Sequence, residues 1–178
     1  QEFVRKFCFS SAAKSVHHGF VGGLLEHTLS ITKLCEYYCI AYPFLNHDLL
    51  ITAALCHDIG KTIELSAFPE NDYTDDGQLL GHIMIGVEMI NDKARAIENF
   101  PRKVLLQLNH CILAHHGELE YGSPKKPALV EAMALNLADN TDAKLETMKE
   151  IFASGDINAQ WMGYNRLLET NIMRTDIE

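Results

Sequence analysis

Long apolar runs are missing from this chain. No stretch approaches the roughly 18 to 20 consecutive apolar residues that a membrane-spanning helix needs, and the N-terminal VRKFCFSSAA has too short an apolar stretch for a signal peptide. The expectation is a cytoplasmic protein with no membrane partner. Paired thiol motifs are missing too. The five cysteines, Cys8, Cys35, Cys39, Cys56 and Cys111, are odd in number and include no CxxC pair, which argues against a disulfide framework. They read as reduced thiols in apolar surroundings. Positive charge is scarce: fifteen Lys plus Arg against twenty-four Asp plus Glu leave a formal charge of -9, so the surface as a whole repels nucleic acid and anionic membranes. A phosphate-bearing substrate would then need local positive charge, which divalent cations can supply inside an acidic protein. Finally, almost nothing alternates with the period of two that a half-buried strand requires, so strand content is expected to be close to nil.

What is present is helical periodicity. A length of 178 residues and 47% hydrophobic content suit one globular domain. Apolar residues recur at helical spacing from Leu24 to about Tyr38, behind the entrance marked by Gly22 and Gly23. Asn46 is the expected N-cap of a second helix, LLITAALCHDI, which is apolar almost all round and is expected to stop at Gly60. Ser66 to Gly77 reads as an acidic surface loop, followed by a third helix from about Gln78 to Ala96. A fourth starts at Pro101 and ends before Gly117, GELEYGSPKKP forms a second loop, and a fifth helix runs from about Ala128 to Phe152. A shorter segment around Trp161 to Ile172 is expected to pack as a last helix. The fold class that follows is an all-α helical bundle.

The chemistry lies at the polar interruptions of these apolar stretches. His57 and Asp58 are adjacent at the end of a helix nearly devoid of polar side chains. A buried, unpaired carboxylate costs several kcal/mol, on the order of ~3 to 5, so it calls for a cation. Asp139 in ALNLADN poses the same demand. Taken singly, His27 and His82 would read as core histidines. Taken together with the His115-His116 pair before Gly117, separate helices each offer a His or Asp at an apolar boundary. Mixed imidazole and carboxylate suit Mn, Fe, Co, Ni or Zn better than an all-oxygen Mg or Ca site, and the absence of cysteine from the set argues against structural zinc. The seven candidates His27, His57, Asp58, His82, His115, His116 and Asp139 exceed what one ion takes while leaving room for substrate. Two ions sharing a carboxylate fit better.

His27, then His57-Asp58, then Asp139 resembles the H...HD...D signature of the HD superfamily of metal-dependent phosphohydrolases, with HDIGK at 57–61 as the most specific short piece. His82 and His115-His116 look like the extra ligands of two-metal members such as the HD-GYP phosphodiesterases, although the GYP loop is replaced by GELEYGSP. GGLLEHTL, DLLITAALCHDIGK, YTDDGQLLGHI, LAHHGELEYGSP and LADNTDAKL are similar, in the same order, to segments of the HD domain of YhaM-type 3'-5' exoribonucleases. On this resemblance residues 1–178 are a single HD domain, with a metal-site core at about 17–150 and a helical extension at about 151–178. Long members carry an N-terminal OB-fold nucleic-acid module. No such module precedes the HD region in this chain, which begins at Gln1 rather than Met and is open to being part of a longer parent.

The resemblance implies that His27, His57, Asp58 and Asp139 hold one ion, and that Asp58 bridges to a second held by His82, His115 and His116. Metal-activated water would then hydrolyse phosphodiester or phosphomonoester bonds of nucleotides or short oligonucleotides. Asp58 and Lys61 are the catalytic candidates, with Lys61 neutralising a nonbridging phosphate oxygen. Lys61, His18, Gln78 and Asp142 are the candidate substrate contacts, and Asp142 is equally read as orienting a ligand. His17 and Gly81 are secondary candidates, His47 and His110 read as structural, and Lys125 and Lys126 as a solvated pair. The alternative is a noncatalytic HD module that binds a nucleotide or a partner.

Overall fold

The computed structural model describes residues 2–14 and 18–175. The chain folds as α1 (Glu2–Phe9), α2 (Gly23–Ala41), α3 (His47–Cys56), α4 (Lys61–Glu64), α5 (Asp75–Arg95), α6 (Arg102–Ala114), a 3-10 turn (Leu119–Tyr121), α7 (Val130–Ser154), and a hairpin of β1 (Trp161–Asn165) with β2 (Thr170–Met173).

α3 is the central strut. Its Leu49, Leu50, Ala53 and Ala54 are buried, and the alanines let α2, α6 and α7 approach closely around Ile31, Cys35, Cys111, Ile112, Leu135 and Ala138. Removing each large apolar side chain from water contributes roughly 1.5 to 3 kcal/mol, and this apolar contact fixes the bundle. Asn46 caps α3 by accepting from the Leu49 N–H at 3.1 Å, as expected. Its own N–H is taken by the buried Glu131 at 2.8 Å, tying the start of α3 to α7.

Several expectations are corrected. The segment from Trp161 to Ile172, expected as a helix, is an antiparallel hairpin. Gly163 adopts φ 86 and Glu169 φ 52, left-handed values that a helix cannot contain, and the Asn165 side chain closes the turn by accepting from the Leu168 N–H at 3.0 Å. Ile172 packs inward and is buried, but one buried residue leaves little alternation to read. The acidic loop gives way early to α5, because Thr74 is an N-cap, accepting from Gly77 at 3.0 Å, and Asp75 and Asp76 occupy the favoured first turn. α1, for which no helix was expected, packs on α2.

A further departure concerns the turn that carries His57 and Asp58. α3 ends at Cys56, and Gly60 is no helix stop. It has ordinary αR angles, φ -62 and ψ -24, and starts α4. Glycine is needed there for space: a Cβ at residue 60 would lie 2.0 Å from the His82 carbonyl oxygen and 2.8 Å from the Gly86 nitrogen. The backbone of the turn after α3 is thereby pressed directly onto α5.

A cavity of about 590 Å³ opens among Phe3, Leu29, Leu55, Met89 and Ile97. Among the described residues, Lys93 is the one charged group on its wall, so it offers no convergence of polar groups for chemistry. None of its lining residues belongs to the histidine and carboxylate cluster.

Candidate metal centre

His57 and His115 occupy the C-cap positions of α3 and α6, with αR backbone angles. The last carbonyls of a helix lack intrahelical partners, and each histidine uses one. His57 donates its Nδ1–H to Ala54 O at 2.8 Å, and His115 donates to Ile112 O at 2.6 Å. The same three-residue step back thus fixes both rings in the Nδ1–H tautomer and turns both Nε2 lone pairs inward. His116 follows the same rule with a partner further on, donating Nδ1–H to Tyr121 O at 2.8 Å. Gly117, at φ 80, lets the chain turn away while Asn136 of α7 donates to His115 O at 2.8 Å.

Two carboxylates complete the orientation. His27 donates Nδ1–H to Asp142 Oδ2 at 2.8 Å, and His82 donates Nδ1–H to Glu64 Oε1 at 3.0 Å. His18 donates Nε2–H to the same Asp142 oxygen at 3.1 Å. Among the described residues, the five rings aimed at the centre, His27, His57, His82, His115 and His116, therefore have a bonded Nδ1, which leaves Nε2 as a lone-pair donor to a cation.

Asp58 lies between them. Its Oδ2 is 3.4 Å from His27 Nε2 and 3.3 Å from His57 Nε2, while its Oδ1 is 3.4 Å from His82 Nε2 and 3.6 Å from His115 Nε2. Asp139 Oδ1 is 3.3 Å from His27 Nε2. Ligand atoms of His27, His57 and Asp139 lie within 4.8 Å of one another, and so do those of His82, His115 and His116. One carboxylate thus faces two separate groups of ligands.

These atoms fit a cation and fit little else. With Nδ1–H committed on both rings, the Nε2 atoms of His27 and His57 are two acceptors only 3.3 Å apart. Among the described residues, Asp58 Oδ1, His82 Nε2 and His115 Nε2 are buried without a hydrogen-bond partner, a costly state for polar groups. His57 and His115 are wholly buried, and Asp58 is 2% exposed. A group of His18, His27 and Asp142 also lies within ligand distance, but there the imidazole N–H groups are donated to the carboxylate, so it is a hydrogen-bond relay behind His27.

The electrostatics agree. Burial works against the charged form of Asp58, yet Lys61 and His57 outweigh it and hold its carboxyl well below the ordinary range. Asp139 is likewise held low against burial, chiefly by His27, and Asp142 by His18 and His27. Burial depresses His115 and His116, keeping both neutral and able to coordinate. Burial also opposes charge on His27, but Asp139, Asp142 and Asp58 raise its value well above the usual imidazole range, so a proton occupies the cluster when nothing else does.

Lys61 Nζ is 2.7 Å from Asp58 Oδ2. His18 and Asp142 are buried behind His27, on the side away from Asp58. Gln78 is exposed one turn ahead of His82, and Gly81 breaks α5 between them at φ 72, ψ 158. His17 lies outside the described residues. His47 is paired with Glu36 and Asp48, His110 accepts from the Ala128 N–H, and Lys126 pairs with Glu118. Sequence reasoning missed Glu64. Its only signal was a carboxylate one turn after Lys61.

The HD domain pattern matches residues 24–144, a span that contains every one of the seven candidate ligands. This chain belongs to the HD domain family. HD domains bind divalent metals, and the histidine and carboxylate groups described above are of the kind that holds them. It is 41% identical over 145 residues to the 3'-5' exoribonuclease YhaM of Geobacillus sp. (strain WCH70), covering 82% of this chain and 44% of the relative. It is 40% identical over 148 residues to the YhaM exoribonuclease of Bacillus velezensis, covering 83% of this chain and 47% of the relative. The chain therefore spans just under half the length of these curated relatives. Among solved structures, the HD domain of the L. monocytogenes phosphodiesterase PgpH, crystallised with cyclic-di-AMP, superposes with a TM-score of 0.52 at 20% identity, covering 86% of this chain and 78% of that one. The HD domain fold is helical, as is this chain apart from its short hairpin. No helix among the described residues is long and apolar enough to cross a membrane.

Proposed function

We propose that this HD domain hydrolyses phosphodiester or phosphomonoester bonds of nucleotides or short oligonucleotides at a centre of two divalent transition ions, with 3'-5' exoribonuclease-like action as the leading form. The observation that carries the reading is Asp58, with one carboxylate oxygen facing His27 and His57 and the other facing His82 and His115. In this reading His27, His57, Asp58 and Asp139 hold one ion, and Asp58, His82, His115 and His116 hold the second. The mixed imidazole and carboxylate set favours Mn, Fe, Co, Ni or Zn. When bound, such ions lower the pKa of water and neutralise phosphoryl oxygens.

The chain's own residues orient and charge the site. Nδ1 hydrogen bonds hold the rings in one tautomer, so no reorganisation is needed as charge develops. Lys61 gives one of its three N–H donors to Asp58 and retains others for a nonbridging phosphate oxygen. Gln78, exposed one turn ahead of His82, is a direct substrate contact, whereas His18 and Asp142 act indirectly by holding His27. The YhaM relatives support a nucleic-acid phosphodiester as substrate.

The test is a panel of short RNA, short DNA, cyclic dinucleotides and nucleoside phosphates, assayed with Mn, Fe, Co, Ni or Zn. Hydrolysis of at least one phosphate ester, abolished in Asp58→Ala, is expected. A wild-type protein inert toward the whole panel with every ion would overturn the reading and favour a noncatalytic binding module.

A further inference from the structure

Glu64 is the buried carboxylate on which the second half of the centre hangs. Its Oε1 accepts two hydrogen bonds from a single residue, the His82 backbone N–H at 3.0 Å and the His82 Nδ1–H at 3.0 Å. Both contacts depend on the break in α5 at Gly81, where φ 72 and ψ 158 interrupt the helix one residue before His82. That conformation is nearly restricted to glycine.

The main chain of Glu64 is held as firmly as its side chain. The Glu64 carbonyl accepts from Thr74 N at 2.9 Å and from Thr74 Oγ1 at 3.3 Å, and Thr74 is the N-cap of α5. Gly77 packs so tightly there that a Cβ would sit 2.3 Å from the same carbonyl oxygen. Glu64 therefore clamps α5 twice, through its carbonyl at the helix start and through its carboxylate at the break. The result is a His82 ring that presents Nε2 to Asp58 Oδ1 at 3.4 Å.

His82, like His27 with Asp142, is held by a carboxylate, unlike the three other inward rings. His57, His115 and His116 use backbone carbonyls, and those persist whatever side chains surround them. Among the described residues, His82 has only Glu64 for its Nδ1–H. We infer that Glu64 is the positioning residue for the second ion: it fixes the tautomer and aim of His82, and without it the centre retains the His27 side while losing tight binding on the His82 side. This rests on the two-ion reading proposed above.

Cobalt binding by the whole chain separates the two ideas. Titration with Co²⁺ alone, followed by calorimetry and visible absorption, is expected to show two ions per wild-type chain. In Glu64→Ala the first ion binds as in wild type and the second is weakened by about 10- to 100-fold. Glu64→Gln, whose amide oxygen accepts both N–H groups, recovers part of that loss. Histidine ring ¹⁵N spectra of the metal-free protein give a readout independent of activity. The His82 Nδ1–H tautomer should be lost in Glu64→Ala and kept in Glu64→Gln, while His57 stays unchanged in both. A wild type that binds fewer than two ions defeats the two-ion reading and this inference with it. Two ions bound by Glu64→Ala with wild-type affinities, or His57 changing together with His82, defeats this inference alone. Should Glu64→Ala not fold, Glu64→Leu, which keeps bulk but accepts no hydrogen bond, takes its place, and an unaltered second affinity there overturns the inference.

Discussion

Asp142 Oδ2 lies 2.8 Å from His27 Nδ1, on the face of the ring opposite Asp58. The carboxylate leaves no freedom in the His27 tautomer, and its negative charge raises the basicity of the Nε2 that faces the centre. Replacing an outer carboxylate of this kind weakens metal binding by about 10- to 100-fold. Asp142→Ala is expected to lower the affinity of the His27-side ion by that factor and to leave the His82-side ion nearly unaffected, the mirror image of the Glu64 substitution. Competition with a coloured chelator measures both steps. Equal weakening of the two ions would show that the halves are not independently supported.

Lys61 neutralises Asp58 at 2.7 Å when no cation is present. Removing one partner of a buried ion pair leaves an uncompensated charge and costs about 3 to 5 kcal/mol. Lys61→Met should accordingly destabilise the metal-free protein toward urea by up to that amount, with Mn²⁺ restoring most of the loss. For the wild type, an ion at one hundred times its dissociation constant adds about 2.7 kcal/mol. In a domain of this size that raises Tm by roughly 5 to 10 °C. Chelation that leaves Tm unmoved would contradict metal binding to the folded state.

Proton and metal compete at His27. Its value is raised in the metal-free fold, so the stability its proton contributes is fully present below the ordinary imidazole pKa and lost as pH rises through the raised one. Asp58, Asp139 and Glu64 are shifted down, so their contribution is present above the ordinary carboxylate range and lost as pH falls through the lowered values. Metal must displace the His27 proton. Affinity for Mn²⁺ should therefore rise with pH through the neutral range, with proton release visible as a buffer-dependent heat in calorimetry. An affinity flat between pH 6 and pH 8, with no buffer dependence, would argue that His27 is not a ligand.

Much of this centre was open to reading because its demands are local. His57-Asp58 at the end of an apolar helix, and His115-His116 just before Gly117, announce polar groups where the flanking residues are buried. Asp139 follows from the same reasoning, whereas His27, a core histidine when taken singly, counts only beside the others, and the structure brings these residues together. Glu64 was not legible, because its partner His82 stands eighteen residues on and the break at Gly81 that joins them leaves no periodic trace. Gly60 was read as a helix stop for a similar reason: a glycine after a helix has a local explanation, and its contact with the His82 backbone is tertiary. The C-terminal hairpin failed on its turn chemistry, where Glu169 rather than glycine takes the left-handed position.

The thiols make a prediction away from the centre. Burial pushes Cys35 and Cys111 up to about 12, and both side chains are wholly enclosed. Thiolate is the reactive form, so at pH 8 these two should resist a disulfide reagent in the native protein and react only on unfolding. All five cysteines are free, which allows mass spectrometry to assign the modified sites. Rapid labelling of Cys35 and Cys111 in native protein would mean that α2 and α6 are not packed as described.

Gly60 and Gly86 provide the most discriminating pair of substitutions. Both lie where the turn after α3 meets α5, but they differ in what a methyl group would meet. At Gly60 it would lie 2.0 Å from the His82 carbonyl oxygen, which is backbone and has no rotamer to change. At Gly86 it would lie 3.6 Å from the Gly60 nitrogen and 3.8 Å from side chains of Ile112 and Ile59, ordinary contact distances. Gly60→Ala must therefore drive α5 outward, costing about 1 to 3 kcal/mol as overpacking and carrying His82 away from Asp58. Gly86→Ala should fit and gain up to about 1 kcal/mol in helix propensity. The expected outcome is a lower Tm and a weakened second Co²⁺ site in Gly60→Ala, beside a Tm equal to or above wild type and two intact sites in Gly86→Ala. Matching behaviour of the two variants would mean that close backbone approach at Gly60 does not set the position of His82.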